Sequence, residues 1–349
     1  MNSPQQFSKV EVTPTTDRLS IYLDVATAAA LAAGEVLQAC WGKLESIVEK
    51  SRPGDLVTEA DQQAEAVILE IIRQHFPDHS ILAEESGQFG DLDAEYLWAI
   101  DPLDGTTNYA HQYPFSAASI GLLINGVPTV GAIFDPFHKE LFRGAVGLGA
   151  TCNDRPICVS TVDKLAQSLL VTGFAYDRRE TPDNNYQEFC YLTHITQGVR
   201  RAGAASIDLA YVACGRLDGY WERGLSPWDL AAGVAIVEAA GGTVTAYDRS
   251  PFDIRSGRIL ATNGQLHAEL SQELLHVAQI EPWSWLNSWQ YAYGRLRLRQ
   301  ATPRPNWAGD PSSRLRIAKG KPTPTVQAVD SWQSMISASS SDIADKNGW

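Results

Sequence analysis

The stretch WAIDPLDGTTNY (98–109) ends an apolar run with two aspartates, Asp101 and Asp104, followed by Gly-Thr-Thr. Buried carboxylates are costly unless something cationic sits between them. Pro102 biases Asp101 towards extended backbone and brings no N–H. Leu103 then offers a carbonyl in the turn between the two acids, and Gly105 permits close backbone approach. Thr106-Thr107 can open a helix whose first amides point outward, an arrangement suited to an anion. One short segment thus presents two carboxylates, a carbonyl and a phosphate-sized nest. In isolation the same residues read as a plain Asp-Gly turn. They are not an EF-hand, because the glycine that loop requires is displaced by one position and Gln112 stands where its closing glutamate belongs.

Other acids tip other elements. Glu84-Glu85 closes the apolar run SILA, where a solvated loop start is an equal reading. Asp229 begins an apolar helix and Asp61 lies three residues after Thr58, so each also reads as a helix cap or capping-box acid. Their joint occurrence shifts the balance. Acid-tipped ends surround a Gly-Thr nest, while the histidines form no ligand-spaced cluster. An all-oxygen donor set suits a hard cation such as Mg²⁺, not zinc or copper. Carboxylates gathered beside an anion-binding helix start describe a metal-assisted phosphoryl site. Neither GxxxxGK[ST] nor GxGxxG occurs, so nucleoside triphosphate chemistry is not indicated.

Alternating elements must position these groups. Asp17 or Ser20 can cap a helix with Leu23, Ala26, Ala30, Ala33, Leu37 and Cys40 on one face. A second helix starts near Thr58 and stops at Pro77. SILAEES and YLWAID read as short buried strands. SAASIGLLI, PTVGAIFD and KELFRGAV form a meander, with Asn125-Gly126 as the tight turn between the first two. SLLVTGF is a strand, SIDLAYVACG a helix, LDGYWE a strand, PWDLAAGVAIVEAAGG a helix, GRILATN a strand and LHAELSQELLHVA a last helix. Hairpins mixed with interleaved helices predict layered helices and mixed sheets, not a Rossmann pattern.

Composition sets the outer bounds. The chain has 349 residues and a net charge of −13, which argues against a nucleic-acid surface. The five cysteines are widely spaced without a CxxC pair, so neither a disulfide framework nor a zinc site is expected, and a reducing cytoplasm is the simplest compartment. The N-terminus lacks a signal layout. The Ala-rich run at 25–33 is too short to span a bilayer, and no transmembrane segment is expected. Residues 1–17 read as a flexible segment. Residues 281–349 hold six of the ten tryptophans and carry nine Lys/Arg against five Asp/Glu. This tail reads as mostly disordered, or as an aromatic, basic docking segment for an unspecified partner.

The set DLVTEAD (55–61), LAEES (82–86), DPLDGTTN (101–108), RRAGAASIDLAYVACGRLDGYWE (200–222) and PWDLAAGVAIVEAAGG (227–242) resembles the inositol monophosphatase family, the lithium-sensitive, Mg²⁺-dependent phosphatases. The resemblance covers residues 18–280. It implies an α+β fold, the layered α-β-α-β-α sandwich of the sugar phosphatases, and usually a homodimer. Carried over, Glu84, Asp101 and the Leu103 carbonyl would hold one Mg²⁺, and Asp101, Asp104 and Asp229 a second, with a weaker third near Glu84. Asp61 and Thr106 match the pair that orients the attacking water. The amides of Gly105 and Thr106 would take the phosphate, while Asp104, Ala205, Glu222 and Asp229 match contacts to the inositol ring. Lys50 matches a basic residue near the metal-binding loop. Departures are small: Ala83 stands for the usual Gly, Leu103 for Ile and Tyr109 for Phe.

The expected activity is therefore hydrolysis of a polyol phosphate monoester, inositol-1-phosphate first, by a metal-activated water. Histidinol phosphate is an alternative because Glu222 can bind an ammonium. Fructose-1,6-bisphosphate is another, with Arg178-Arg179 or Arg200-Arg201 facing the second phosphate. A rival of another class is a regulatory binding protein that docks through the tail.

Overall fold

A computed structural model describes residues 15–50 and 52–277. The expectations for residues before 15 and for the tail at 281–349 lie outside them. The first helix, α1 (Thr16–Cys40), starts after Thr15; neither Asp17 nor Ser20 caps it, and the Ser20 hydroxyl instead donates back to the Thr16 carbonyl at 3.0 Å. At 25 residues it extends well beyond the Ala-rich run at 25–33 and is, by length and composition alone, long and apolar enough to cross a membrane. Yet Tyr22, Ala26, Ala30, Ala33 and Leu37 on one face are buried, packed in one cluster with the next helix and the sheet below. That makes it a core helix.

Strands β1 (Ile47–Glu49) and β2 (Leu56–Thr58) form an antiparallel hairpin that leads into α2 (Glu59–His75). After β3 (Ser80–Ala83) and β4 (Gly87–Phe89), β5 (Tyr96–Asp104) runs three residues past the expected end at Asp101. Its pairing register shifts between Asp101 and Asp104, where Pro102 removes a ladder donor. Gly105, at φ 87°, turns the chain into α3 (Thr106–Ala110). The meander follows as β6 (Ala117–Ile124), β7 (Val127–Asp135) and β8 (Glu140–Ala145), and Asn125 and Gly126 both have positive φ, as a two-residue primed turn requires. The chain continues through β9 (Gly149–Cys152), β10 (Arg155–Ile157), β11 (Leu169–Thr172), α4 (Tyr186–Ile195), β12 (Gly198–Arg200) and α5 (Ala205–Ala213). It closes with β13 (Gly219–Arg223), α6 (Pro227–Ala239), β14 (Thr243–Thr245), β15 (Arg258–Thr262) and α7 (His267–Val277). The short strands β1, β2, β4, β9, β10, β12 and β14 escape sequence reading because three or four residues carry too little alternation. Helix α4 escapes it because Leu192 is its one buried residue.

The strands make an eight-stranded sheet, β10-β9-β8-β7-β6-β5-β3-β4, and a five-stranded sheet, β12-β11-β13-β15-β14. The first is antiparallel except for β3 beside β5, and in the second β11 runs parallel to both β12 and β13. Helices α1 and α2 cover the outer face of the large sheet, α5 and α6 lie between the sheets, and α4 and α7 cover the small sheet. This is the α-β-α-β-α sandwich, helix and sheet alternating so that each apolar face is buried. A Cβ at Gly131 would enter the backbone of Ala232 on α6, so the missing side chain lets helix and sheet touch.

Candidate active site

The site assembles where the N-termini of α2, α3, α5 and α6 meet the ends of β3, β5 and β13. Asp61 is the N3 residue of α2 and is fully buried. Its Oδ2 accepts from the Thr58 amide at 2.8 Å and the Thr58 hydroxyl at 2.6 Å, which completes the expected capping box. Its Oδ1 accepts from the Thr106 hydroxyl at 3.2 Å, and that hydroxyl also lies 3.0 Å from the Leu103 carbonyl oxygen. The capping acid and the candidate site residue are thus the same carboxylate. Burial raises the Asp61 carboxyl to about 6 against the pull of Thr58.

Asp101 and Asp104 end β5, both buried. Asp101 Oδ1 accepts from the Leu103 amide at 2.9 Å. Asp104 Oδ2 accepts from the Ser206 amide at 2.7 Å and its hydroxyl at 2.5 Å, at the start of α5. Asp229, at N3 of α6, accepts from the Ser226 amide at 2.7 Å. Burial first, then the mutual repulsion of Glu84, Asp101, Asp104 and Asp229, holds the Asp101 and Asp229 carboxyls well above the usual range. Asp104 is pushed up to about 6, restrained by its bonds to Ser206. The shared field gathers four acids whose sequence positions span 146 residues, from 84 to 229.

Lys50, beyond the end of β1, reaches this cluster. Its Nζ donates to Glu84 Oε1 at 2.8 Å and to Glu85 Oε1 at 2.6 Å. Burial raises the Glu85 carboxyl to about 7, and Lys50 opposes the rise. Glu222, on β13, is buried on the side of the small sheet, where it accepts from the Tyr220 hydroxyl at 2.7 Å and is pushed up to about 7 by burial. Ala205 opens α5 beside Asp104.

Three positioning groups have no role assigned in the sequence reading: Glu65 lies outside the quoted motifs, and Ser206 and Tyr220 lie inside one without being singled out. Glu65, one turn after Asp61 on the buried face of α2, accepts from the amides of Glu85 and Ser86, each at 2.9 Å. Its spacing of four from Asp61 was the available signal. Ser206 holds Asp104 across 102 positions, and Tyr220 holds Glu222 across two; neither residue type marks itself in a sequence. Behind Glu222 lies Asp208, wholly buried with its Oδ1 unpartnered and its carboxyl held well above the usual range by burial. A cavity of about 470 Å³ lined by Arg73, His79, Ser80 and Phe89 sits at the start of β3, the end opposite Glu84.

The donor chemistry of Glu84, Asp101, Asp104, Asp229 and the Leu103 carbonyl fits a divalent hard cation: all are oxygens, and Lys50 supplies one positive charge against several acids. Among the described residues, no three His, Cys, Asp or Glu side chains are drawn to a common metal-bonding point. The fit therefore rests on donor type and on uncompensated charge.

The layered sandwich and this acid cluster beside a Gly-Thr helix start define the class of sandwich phosphatases. The sequence profile of the Inositol monophosphatase family matches residues 19–279. The chain is 64% identical to the inositol-1-monophosphatase of Synechocystis over 279 residues, 80% of this chain and 95% of that one. It is 42% identical to the Nus factor SuhB of Pseudomonas aeruginosa, over 69% of this chain and 91% of that one. The solved inositol monophosphatase of Anabaena superposes with a TM-score of 0.69 at 67% identity, covering 74% of this chain and 97% of that one. The chain belongs to the inositol monophosphatase family. It is a phosphoric monoester hydrolase.

Proposed function

We propose that the enzyme hydrolyses a polyol phosphate monoester, inositol-1-phosphate in the first place, with two to three Mg²⁺ ions held by Glu84, Asp101, the Leu103 carbonyl, Asp104 and Asp229. The observation that carries this reading is the Thr106 hydroxyl suspended between Asp61 and the Leu103 carbonyl, beside three carboxyls raised by burial and then by neighbouring acids. Mg²⁺, when bound, supplies charge neutralisation for the phosphate and the departing alkoxide. Thr106 Oγ1 directs its proton to Asp61 or Leu103 and keeps lone pairs free to orient a water. Asp61, anchored by Thr58, is the final acceptor for a proton passed through that hydroxyl. The amides of Gly105 and Thr106 receive the phosphate, and Glu222 with Asp104, Asp229 and Ala205 faces the alcohol. A carboxylate at Glu222 accepts hydrogen bonds from ring hydroxyls, which favours a polyol.

The name of the Synechocystis relative supports the substrate. All five cysteines are free, which is consistent with a reducing cytoplasm, and we take the family's usual homodimer as the assembly. The test is phosphate release from inositol-1-phosphate, histidinol phosphate and fructose-1,6-bisphosphate by the purified enzyme with Mg²⁺. Inositol-1-phosphate should give the highest kcat/KM, and chelation or Asp104→Asn should abolish turnover while the protein stays folded. Release from none of the three overturns the reading. A preference for the ammonium-bearing or the doubly phosphorylated ester redirects it to Glu222 or to the Arg200-Arg201 pair.

A further inference from the structure

The absence of a side chain at Gly173 has a specific neighbour. Residue 173 leaves β11 alongside β13, where Thr172 pairs with Trp221 in parallel register, so it lies next to Glu222. A Cβ at 173 would fall on the Glu222 carboxyl group, onto its carbon and both oxygens. Backbone conformation does not demand glycine, because residue 173 is not among the positive-φ positions. Space alone excludes a larger residue.

The wall on the Gly173 side cannot retreat. The Thr172 hydroxyl donates to the Trp221 carbonyl. Asn185, buried just before α4, donates from Nδ2 to the Gly173 carbonyl and to the Thr172 hydroxyl, each at 2.7 Å. Its Oδ1 accepts from Trp221 Nε1 at 2.7 Å. β11, β13 and the start of α4 are thereby fastened together directly behind residue 173. On the other side, Glu222 is 7% exposed and held by the Tyr220 hydroxyl. Its carboxylate occupies one position between a fixed backbone and a fixed phenol, and adding one methyl group at 173 displaces it.

We infer that Gly173 is a specificity-determining positioning residue: it leaves the space in which Glu222 presents its carboxylate to a hydroxyl of the alcohol. The inference rests on the reading that Glu222 faces the alcohol half of the ester. The phosphate half is read as held by α3 and the end of β5, whereas the nearest atoms to a Cβ at residue 173 all belong to Glu222. An ester whose alcohol carries no hydroxyl therefore reports the phosphate half alone.

The test is a double-mutant cycle of Gly173→Ala, Glu222→Ala and the pair, on full-length enzyme with saturating Mg²⁺. Gly173→Ala should raise KM for inositol-1-phosphate by roughly tenfold or more, the loss of one hydrogen bond to a charged group. For p-nitrophenyl phosphate the change should be far smaller. In the Glu222→Ala background, Gly173→Ala should add nothing, and its lowering of Tm should also vanish. If Gly173→Ala alone does not fold, recovery in the double variant is the expected result. Equal KM changes for both esters, or additive effects on KM, overturn the inference. Wild-type enzyme inactive on inositol-1-phosphate overturns the substrate reading instead. The melting temperatures, which need no substrate, then decide the inference: a Tm loss that persists without Glu222 sinks it.

Discussion

Glu65 offers the sharpest test of how the site is held, because its carboxylate is buried and engaged by backbone amides. Its side chain, 4% exposed, accepts from the amides of Glu85 and Ser86, which lie on the loop that carries Glu84. Glu65→Gln keeps the volume but turns one acceptor into an NH₂ group that can only donate. One of the two amides then faces a donor. Hydrogen bonds to a charged group contribute about 1.5–3 kcal/mol each, and an unsatisfied buried donor costs a further 1–3 kcal/mol or so. Neutralising a buried carboxylate offsets part of that, which leaves a net loss of about 2–4 kcal/mol. For a domain of this size the Tm should fall by on the order of 10 °C. With its amides released, the Glu84 loop should bind Mg²⁺ more weakly, raising the Mg²⁺ concentration for half-maximal activity about tenfold while kcat at saturation stays close to wild type. Calorimetric melting and Mg²⁺ titration of activity measure both. A Tm within about 2 °C of wild type, together with an unchanged Mg²⁺ dependence, refutes the claim that Glu65 holds the loop.

Three other perturbations probe separate parts of the molecule. Gly131→Ala pushes a Cβ into the Ala232 backbone, which cannot move without shifting α6; overpacking of about 1–3 kcal/mol or more should appear as a clear Tm loss by differential scanning calorimetry. Lys50→Met removes the cation paired with Glu84 and Glu85, so Mg²⁺ should bind several-fold tighter by isothermal titration; equal or weaker binding contradicts competition between Lys50 and the metal. Thr58→Ala deletes a hydrogen bond to the ionised form of Asp61, whose carboxyl already stands at about 6. Because that bond favours the charged form, its loss moves the carboxyl upward, and the acid limb of the kcat/KM profile should shift up by about one unit. The lost cap should cost about 1 kcal/mol of stability as well, and an unmoved acid limb excludes Asp61 as the acceptor.

The sign of the Asp61 effect on folding runs opposite to its proposed catalytic use. Its folded carboxyl is raised above the unfolded value of about 3.8, so its contribution to stability is full below that value and is lost as pH rises through about 6. The ionised form proposed to be active is the less stable form. Burying an ionised acid is the cost of having an acceptor beside Thr106 at neutral pH.

What the sequence determined by itself was local chemistry. The Thr58–Asp61 and Ser226–Asp229 spacings specify capping boxes, since a side chain three residues into a helix reaches back to the capping amide wherever the helix lies. Asp101-Pro102-Leu103-Asp104-Gly105-Thr106 marks a strand end and a turn that opens a helix, whereas the irregular register that carries β5 on to Asp104 appears only in the structure. Asn125-Gly126 specifies a hairpin. Periodicity was enough for the long helices and the meander, and so for the layered class of the fold. The tertiary structure decided which of these ends meet. That Ser206 clamps Asp104, that Glu65 faces the amides behind Glu84, that Lys50 reaches Glu84 and that Gly173 makes room for Glu222 depend on how two sheets and three helical layers stack. Such contacts join residues far apart in the chain, where neither residue type nor spacing carries a signal, because the hydrophobic packing that brings them together is set by whole faces and not by the pair itself.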